Sequence, residues 1–212
     1  MSTPSIVKQK AQYEKMNIDD EPEIKIILLG EKFVGKTSLI KVASGEKFDP
    51  NVTPSLTCSN KACTYKAPDN KEYKYYLWDT AGQEYFRSLN NVFMKNAKIV
   101  ILVFAVDDKS SFQSLNYWLE QAKNNNTNFI TGLIGNKMDL LDEQVVTDKD
   151  AKTFAKEHDI KYILTSAKTD DIGIKNFIEE LLNDYLNKYY NPSSKNYVKL
   201  NGKKNNSKSK CC

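Results

Sequence analysis

Short apolar runs alternate with segments of helical periodicity along most of the chain. The apolar runs predict six strands, at residues 24–29, 57–66, 72–78, 99–106, 129–134 and 161–164. The segments between and after them predict helices at 38–44, 110–123, 148–157 and 174–189. We also expect a short helix that ends near Lys95, and Ser110 as the N-cap of the helix that it begins.

The order of these elements predicts the fold class. Strands that alternate with helices are typical of an α/β domain in which a mostly parallel, doubly wound sheet carries helices on both faces. The second and third strands are joined by the turn residues Pro68-Asp69-Asn70, a connection too short for a parallel crossover. We therefore expect a six-stranded sheet with one antiparallel edge strand. The polar stretch at 45–56 predicts a surface loop of functional length.

Composition sets the expected limits of the folded domain. The chain has 212 residues, of which 40% are hydrophobic and 27% charged, as expected for one domain with tails. Residues 1–22 are polar and lack periodicity, which predicts a flexible N-terminal arm. Residues 191–212 form a lysine-rich tail with six lysines and no acidic residue. The folded domain is expected at residues 23–190.

Charge and cysteine usage narrow the function classes. The net charge of +4 is concentrated in the tail, so the domain is near neutral and offers no basic face for nucleic acid. No apolar run approaches the roughly 18 residues of a membrane-spanning helix, and no signal peptide is evident, so we expect an intracellular protein. The spacing of the cysteines fits neither a disulfide framework nor a zinc site; they are Cys58, Cys63, Cys211 and Cys212.

The stretch after the first strand carries the strongest chemical signal. Gly30 and Gly35 bracket a loop that leads into a helix, and Lys36 and Thr37 follow at once. Such a loop wraps backbone N–H groups around a polyphosphate, while the lysine neutralises the β- and γ-phosphates and the hydroxyl can ligate Mg²⁺. The sequence therefore predicts a phosphate cradle made of Gly30, Glu31, Lys32, Phe33, Val34, Gly35, Lys36, Thr37 and Ser38.

Three more polar clusters follow predicted strands. Asp79 to Gln83 comes after the third strand, Asn136 to Asp139 after the fifth, and Ser166 to Lys168 after the sixth. In open α/β sheets, ligands bind outside the carboxyl ends of the strands. We therefore expect these clusters to converge with the cradle on a single ligand.

Taken together, the motifs resemble those of a small GTPase of the Ras superfamily, and specifically of a Rab, over residues 23–190. Trp78 and the stretch Tyr85-Phe86-Arg87-Ser88-Leu89 are closer to Rab sequences than to Ras or Rho sequences. The resemblance implies a P-loop NTPase fold, the G domain, that binds GTP, GDP and Mg²⁺ and hydrolyses GTP slowly. It also implies a monomer that regulates vesicle trafficking on the cytoplasmic face of endosomal or vesicular membranes and cycles with the cytosol.

The residues that follow the fifth and sixth strands point to guanine. Asp139 can accept hydrogen bonds from the ring N–H and the exocyclic amine of guanine, which adenine does not offer. The resemblance places Lys137 over the ring system and turns the Ala167 N–H toward the guanine oxygen. Phe48 matches the aromatic residue that packs edge-on against guanine, although a loop phenylalanine is equally often a core anchor. The guanine motifs comprise Asn136, Lys137, Asp139, Ser166, Ala167 and Lys168.

The resemblance also assigns roles around the γ-phosphate. Asp79 would hold Mg²⁺ through water, Gln83 would orient the attacking water as the catalytic residue, and Gly82 would donate its N–H to the γ-phosphate. The third metal position, for which relatives use threonine, falls on Ser55 by spacing from Phe48. Serine lacks the methyl group that restricts the threonine rotamer, so we expect a looser loop in the GTP state. The implied metal ligands are Thr37, Ser55 and Asp79, with Thr53 and Thr57 as alternatives to Ser55.

Lys32 and Phe33 stand where relatives carry small residues. Bulk at Lys32 would crowd the space where the catalytic glutamine and an arginine finger meet the γ-phosphate, which predicts weak hydrolysis and restricted help from an activating protein. Alternatively, Lys32 points into solvent. Two other functions stay open: a hydrolysis-impaired GTP-binding membrane scaffold, opposed by Gln83, and a P-loop kinase, disfavoured because no arginine-rich lid is present.

The chain ends in Cys211-Cys212, which resembles the Rab signal for geranylgeranylation. Two lipid chains are sufficient for stable anchoring, and the lysines would add attraction to an anionic leaflet. An unmodified, solvated tail is the alternative. The resemblance further implies exchange factors, activating proteins, effectors, an escort protein and a GDP dissociation inhibitor as partners.

Overall fold

The structure is a computed structural model that describes residues 23–51, 59–80 and 94–189. The predicted arm at 1–22, the tail at 191–212 and most of the short helix ending near Lys95 lie outside these ranges. Within them, the chain follows the predicted alternation of strands and helices.

The described residues form one six-stranded sheet with the strand order β2-β3-β1-β4-β5-β6. Neighbouring strands are parallel except for β2 and β3, which pair antiparallel from Ser59 opposite Asp79 to Lys66 opposite Glu72. The antiparallel strand β2 lies at the edge, so the predicted fold class is confirmed. The strands are β1 (Ile24–Leu29), β2 (Ser59–Lys66), β3 (Glu72–Asp79), β4 (Ile99–Ala105), β5 (Ile130–Asn136) and β6 (Lys161–Leu164).

The described helices match the predicted ones, except that one predicted helix is divided into two. They are α1 (Lys36–Ala43), α2 (Lys109–Gln113), α3 (Leu115–Asn125), α4 (Asp148–Glu157) and α5 (Asp171–Tyr189), with a 3₁₀ turn at Leu141–Glu143. The single helix predicted at 110–123 is divided at Ser114 into α2 and α3. Helix α5 begins at Asp171, three residues before the predicted start at Ile174. The apolar period did not mark this first turn, because it contains Gly173 and an Ile172 that is exposed rather than buried.

The prediction that Ser110 caps a helix was wrong. Asp108 is the N-cap of α2, and its carboxylate accepts hydrogen bonds from the backbone N–H groups of Ser110 and Ser111. The Ser110 hydroxyl itself donates to the same carboxylate oxygen at 2.6 Å. Asp and Ser are comparable caps, so the position of the first free N–H groups decides between them, and that depends on where β4 ends.

Helices cover both faces of the sheet. On one face, Ile24, Ile26 and Leu28 of β1 pack with α1 and α5, and on the other face Ile27 and Leu29 pack with α3 and α4. The alternation follows from the two-residue period of a strand. The central strands are therefore buried on both sides, and their carboxyl ends are held in fixed positions.

Two strand ends differ from the predicted ones in a way that affects the site. Strand β5 pairs with β4 as far as Asn136, opposite Ala105, whereas the sequence pattern predicted an end at Ile134. Strand β3 includes Asp79, opposite Leu28 of β1. Both polar side chains are thus fixed by strand pairing rather than by loops. None of the helices in the described ranges has the length and hydropathy needed to cross a bilayer.

Candidate nucleotide-binding site

The predicted polar clusters that the structure describes lie at one edge of the sheet. β1, β3, β5 and β6 run parallel, so the residues directly after Leu29, Asp79, Asn136 and Leu164, of which only Thr80 is described after Asp79, leave the sheet on the same side. Strand order places β1 between β3 and β4, where the direction of chain progression reverses. Such a switch point is where open α/β sheets bind ligands.

The two glycines of the cradle are required by close packing. A Cβ atom on Gly30 would lie 2.1 Å from the carbonyl oxygen of Val103, and one on Gly35 would lie 2.2 Å from Nδ2 of Asn136. Gly35 also has φ 93°, in the left-handed region that side chains disfavour. The loop from Gly30 to Gly35 can therefore be pulled tightly against β4 and β5 only because both positions lack a side chain.

Lys36 is folded back into the cradle. Its ammonium group donates hydrogen bonds to the carbonyl oxygens of Gly30, at 2.9 Å, and Glu31, at 2.7 Å, and the residue is only 5% exposed. Burial lowers the pKa of this lysine to about 8, against the attraction of Asp79 and Glu31, which acts to raise it. A positive charge that has lost most of its water is placed where phosphate oxygens would compensate it.

Two of the predicted magnesium ligands, Thr37 and Asp79, lie in the described ranges and contact each other. The Thr37 hydroxyl, in the first turn of α1, donates a 2.7 Å hydrogen bond to Oδ2 of Asp79, which is 3% exposed. Mg²⁺ prefers hard oxygen ligands and is commonly held by few protein groups together with phosphate oxygens and water. A hydroxyl and a carboxylate at this spacing next to Lys36 fit such an ion.

Asn136 joins the cradle to the loop after β6. Its Nδ2 donates to the carbonyl oxygen of Val34 at 2.8 Å, and its Oδ1 accepts from the backbone N–H of Ala167 at 3.0 Å. Asn136 is 2% exposed and both partner residues are buried. The side chain therefore ties together segments that are 102 and 31 residues away in sequence.

Asp139 is oriented by two neighbours from the loop after β6. Its Oδ1 accepts a 2.5 Å hydrogen bond from the Ser166 hydroxyl, and its Oδ2 lies 3.6 Å from Nζ of Lys168. A carboxylate has about four acceptor positions, so both oxygens keep capacity for a ligand. The remaining residue of the motif, Lys137, forms a 3.1 Å ion pair with Asp107.

Most of the predicted site residues that the structure describes lie together. The predicted ligand contacts of the others stay predictions. Ser38 lies in the first turn of α1 and is half-buried, and the Lys32 and Phe33 side chains are exposed. Phe48 is half-buried and packs against the core cluster of β1, α1 and α5, which is the core-anchor alternative, and its contact with guanine stays a prediction. Several predicted residues lie outside the described ranges: Ser55, its alternatives Thr53 and Thr57, Gly82, Gln83, Cys211 and Cys212.

Two residues of the site were missed by sequence reasoning. The indole N–H of Trp118 on α3 donates to the Glu31 carboxylate at 3.2 Å, a contact that the sequence motifs do not indicate. Asp107, the partner of Lys137, follows β4. The rule that polar residues after strands converge would have found Asp107, because β4 is parallel to β1 and β5. No local pattern indicates the Trp118 contact, which spans 87 residues.

Comparisons with known proteins identify the family. The sequence model described as Ras family matches residues 25–187. The chain is also 36% identical to the Ras-related protein Rab-18 of Lymnaea stagnalis, over 84% of this chain and 89% of that protein. The chain is a Rab-type member of the Ras family.

Other Rab proteins align over similar spans. Identity is 31% with human Ras-related protein Rab-22A, over 90% of this chain and 98% of that protein. It is 37% with Rab-18 of Caenorhabditis elegans, over 75% and 78% of the two chains. The predicted family, G-domain fold and function as a Rab-type small GTPase, which binds GTP and GDP and hydrolyses GTP, are confirmed. The relatives do not favour the hydrolysis-impaired scaffold.

Proposed function

We propose that this Rab GTPase is a Mg²⁺-dependent GTP/GDP switch that regulates vesicle trafficking at the cytoplasmic face of an endomembrane. The observation that carries the nucleotide assignment is the double hydrogen bond of Asn136 to Val34 and Ala167. The buried Asn136 side chain fixes the position of the cradle relative to the loop after β6, which would bind the base. A ligand with phosphates at one end and a base at the other would engage both loops at once.

At the base end, Asp139 would select guanine. Its carboxylate is oriented by Ser166 and Lys168 and would accept hydrogen bonds from the ring N–H and the exocyclic amine. The Ala167 N–H already donates to Asn136, so its approach to the guanine oxygen would need a bifurcated bond or a small shift. Adenine would leave the Asp139 carboxylate without donors, which is costly in a partly buried site.

At the phosphate end, Lys36 would exchange its carbonyl partners for the β- and γ-phosphate oxygens. Thr37 and Asp79 are the described groups that would hold Mg²⁺, and Ser55, outside the described ranges, would be the third. The bound ion would supply charge neutralisation between phosphate oxygens. The Thr37–Asp79 hydrogen bond keeps both side chains pointed at the same place before the ligand binds.

Roles in hydrolysis and switching rest on the family resemblance. Gln83 would orient the attacking water, and Gly82 and Ser55 would contact the γ-phosphate. Loss of the γ-phosphate would release the loops around 46–60 and 80–95, which effectors read in the GTP form. Exchange factors and activating proteins would set the timing of the cycle.

The proposed membrane attachment depends on the C-terminal tail. We assign residues 191–212 to a lysine-rich attachment segment in which Cys211 and Cys212 carry the prenyl groups, with residues 1–22 as an N-terminal arm and 23–190 as the G domain. An escort protein and a GDP dissociation inhibitor would handle the lipidated chain. The likeness to proteins named Rab-18 and Rab-22A supports this assignment.

Asp139→Asn tests the nucleotide site. An asparagine amide would donate to the second carbonyl of xanthine and would lose the guanine amine, so GDP should bind at least about 100-fold more weakly while XDP binding improves. Affinities are measured by competition with a radiolabelled nucleotide. Asp142→Asn, a charge loss in the exposed 3₁₀ turn nearby, is the matched control. Unchanged preference for GDP in Asp139→Asn would contradict the assignment.

The trafficking role is tested by location. The tagged full-length chain should collect on one class of endomembrane in its own cells, and Cys211→Ser with Cys212→Ser should disperse it into the cytosol. A Lys203→Gln and Lys204→Gln variant, which keeps both cysteines, separates the lipid contribution from that of charge. Membrane binding that survives loss of both cysteines would exclude prenylation as the anchor.

A further inference from the structure

Phe33 combines two unfavourable features at one position of the cradle. Its side chain is 69% exposed, and its backbone has φ 66°. Left-handed backbone is uncommon for any residue with a side chain and is a clear outlier for a bulky one. Single exposed aromatic residues occur on most proteins, but an exposed aromatic residue that also strains its backbone needs a reason.

Smaller residues would avoid both features. Glycine adopts this backbone without strain, and asparagine tolerates it far better than phenylalanine. The other described non-glycine residues with positive φ support this, because Asn70, Asn96, Asn128 and Asp159 have short polar side chains and Lys137 belongs to the guanine motif. The ring of Phe33 is therefore retained against a conformational preference that, among the described residues with positive φ, only Lys137 also departs from.

The position of Phe33 is defined by its neighbour. Val34 accepts the hydrogen bond from Asn136, and Lys137 follows Asn136 along the chain, so Phe33 and Lys137 flank the same 2.8 Å contact. That contact joins the phosphate end of the site, at Lys36 and Thr37, to the base end, at Asp139. In a nucleotide, the group between the phosphates and the base is the ribose. The residues beside this contact thus flank the place where a sugar would lie.

We infer that the Phe33 ring covers the ribose of the bound nucleotide and slows its release. The inference rests on the proposed nucleotide site. It adds a side-chain contact with the ribose to a loop that would otherwise bind the phosphates through its backbone N–H groups. Covering the ring would remove its exposed apolar surface from water in the bound state only. The contact would be the same for GDP and GTP, because both carry the same ribose.

The experiment measures nucleotide release from Phe33→Gly, Phe33→Asn and Phe33→Leu. The full-length protein is loaded with radiolabelled GDP or with a non-hydrolysable GTP analogue, and dissociation is followed by filter binding in excess unlabelled GDP and Mg²⁺. Phe33→Gly and Phe33→Asn should release both nucleotides about tenfold faster, and Phe33→Leu less so, since it keeps part of the apolar cover. Asp159→Gly is the control, because it also places glycine at a positive-φ position, shortly before β6 and thus at the opposite end of the sheet.

The outcomes separate this inference from the proposed site. If the wild-type chain retained no guanine nucleotide, the nucleotide site itself would fail. If the wild type retained GDP and all three variants released it at the wild-type rate, the site would stand and the ribose cover would be refuted. Faster release of the triphosphate analogue alone would also refute the cover, because it would place the effect at the γ-phosphate.

Discussion

Asn136 offers the sharpest test of how the site is held together. Asn136→Ala removes both hydrogen bonds of the side chain and leaves the Val34 carbonyl and the Ala167 N–H buried without that partner. Each loss costs about 1–3 kcal/mol, and partial relaxation of two loops reduces the sum to about 2–4 kcal/mol. In the proposed complex the nucleotide would contact both loops, so most of this cost should appear as weaker GDP binding. At about 1.4 kcal/mol per tenfold, GDP should dissociate about 30- to 700-fold faster.

The measurement is GDP dissociation by filter binding, alongside urea unfolding of the GDP-bound protein. Asn126→Ala is the matched control, because Asn126 is also buried and its side chain also makes two hydrogen bonds, with the Ala97 N–H at 2.9 Å and the Ala122 carbonyl at 3.2 Å. That pair lies where β4 begins, at the end of the sheet away from the site. Both variants should lose stability, but only Asn136→Ala should release GDP quickly. Equal release rates for the two variants would refute the reasoning.

Two further predictions concern the cradle lysines. The pKa of Lys36 is lowered to about 8 in the nucleotide-free site and binding favours the charged form, so GDP affinity should fall about fivefold between pH 7 and 8.7. GDP affinity is measured by competition binding at pH values below that at which guanine ionises. An affinity that does not change with pH would contradict the conclusion that burial lowers the pKa of Lys36. Lys32→Gly should hydrolyse GTP faster in single turnover if the lysine crowds the γ-phosphate as the family resemblance implies, whereas Lys123→Ala on α3 should not. No acceleration by Lys32→Gly would mean that Lys32 points away into solvent.

The amino-acid sequence determined the elements and the kind of ligand. Helix α4 was predicted at its observed bounds because local signals agree there: the apolar period runs from Ala151 to Ala155, and Thr147 and Asp150 form a capping box. Strand β6 was predicted equally well from a short apolar run. The cradle and the guanine motif are also local, since each is a few consecutive residues whose chemistry suits phosphate or base.

Only the tertiary structure decided how these segments meet. The Asn136–Val34 bond, the Glu31–Trp118 bond and the Lys137–Asp107 pair join residues that are distant along the chain, and their partners depend on strand pairing and helix packing. The same is true of the cap at Asp108 and of the extension of β5 to Asn136, which follow from where β4 ends. A residue's own neighbours set its local conformation, whereas its burial and hydrogen-bond partners depend on the assembled sheet, and those set the pKa of Lys36 and the exposure of Phe33.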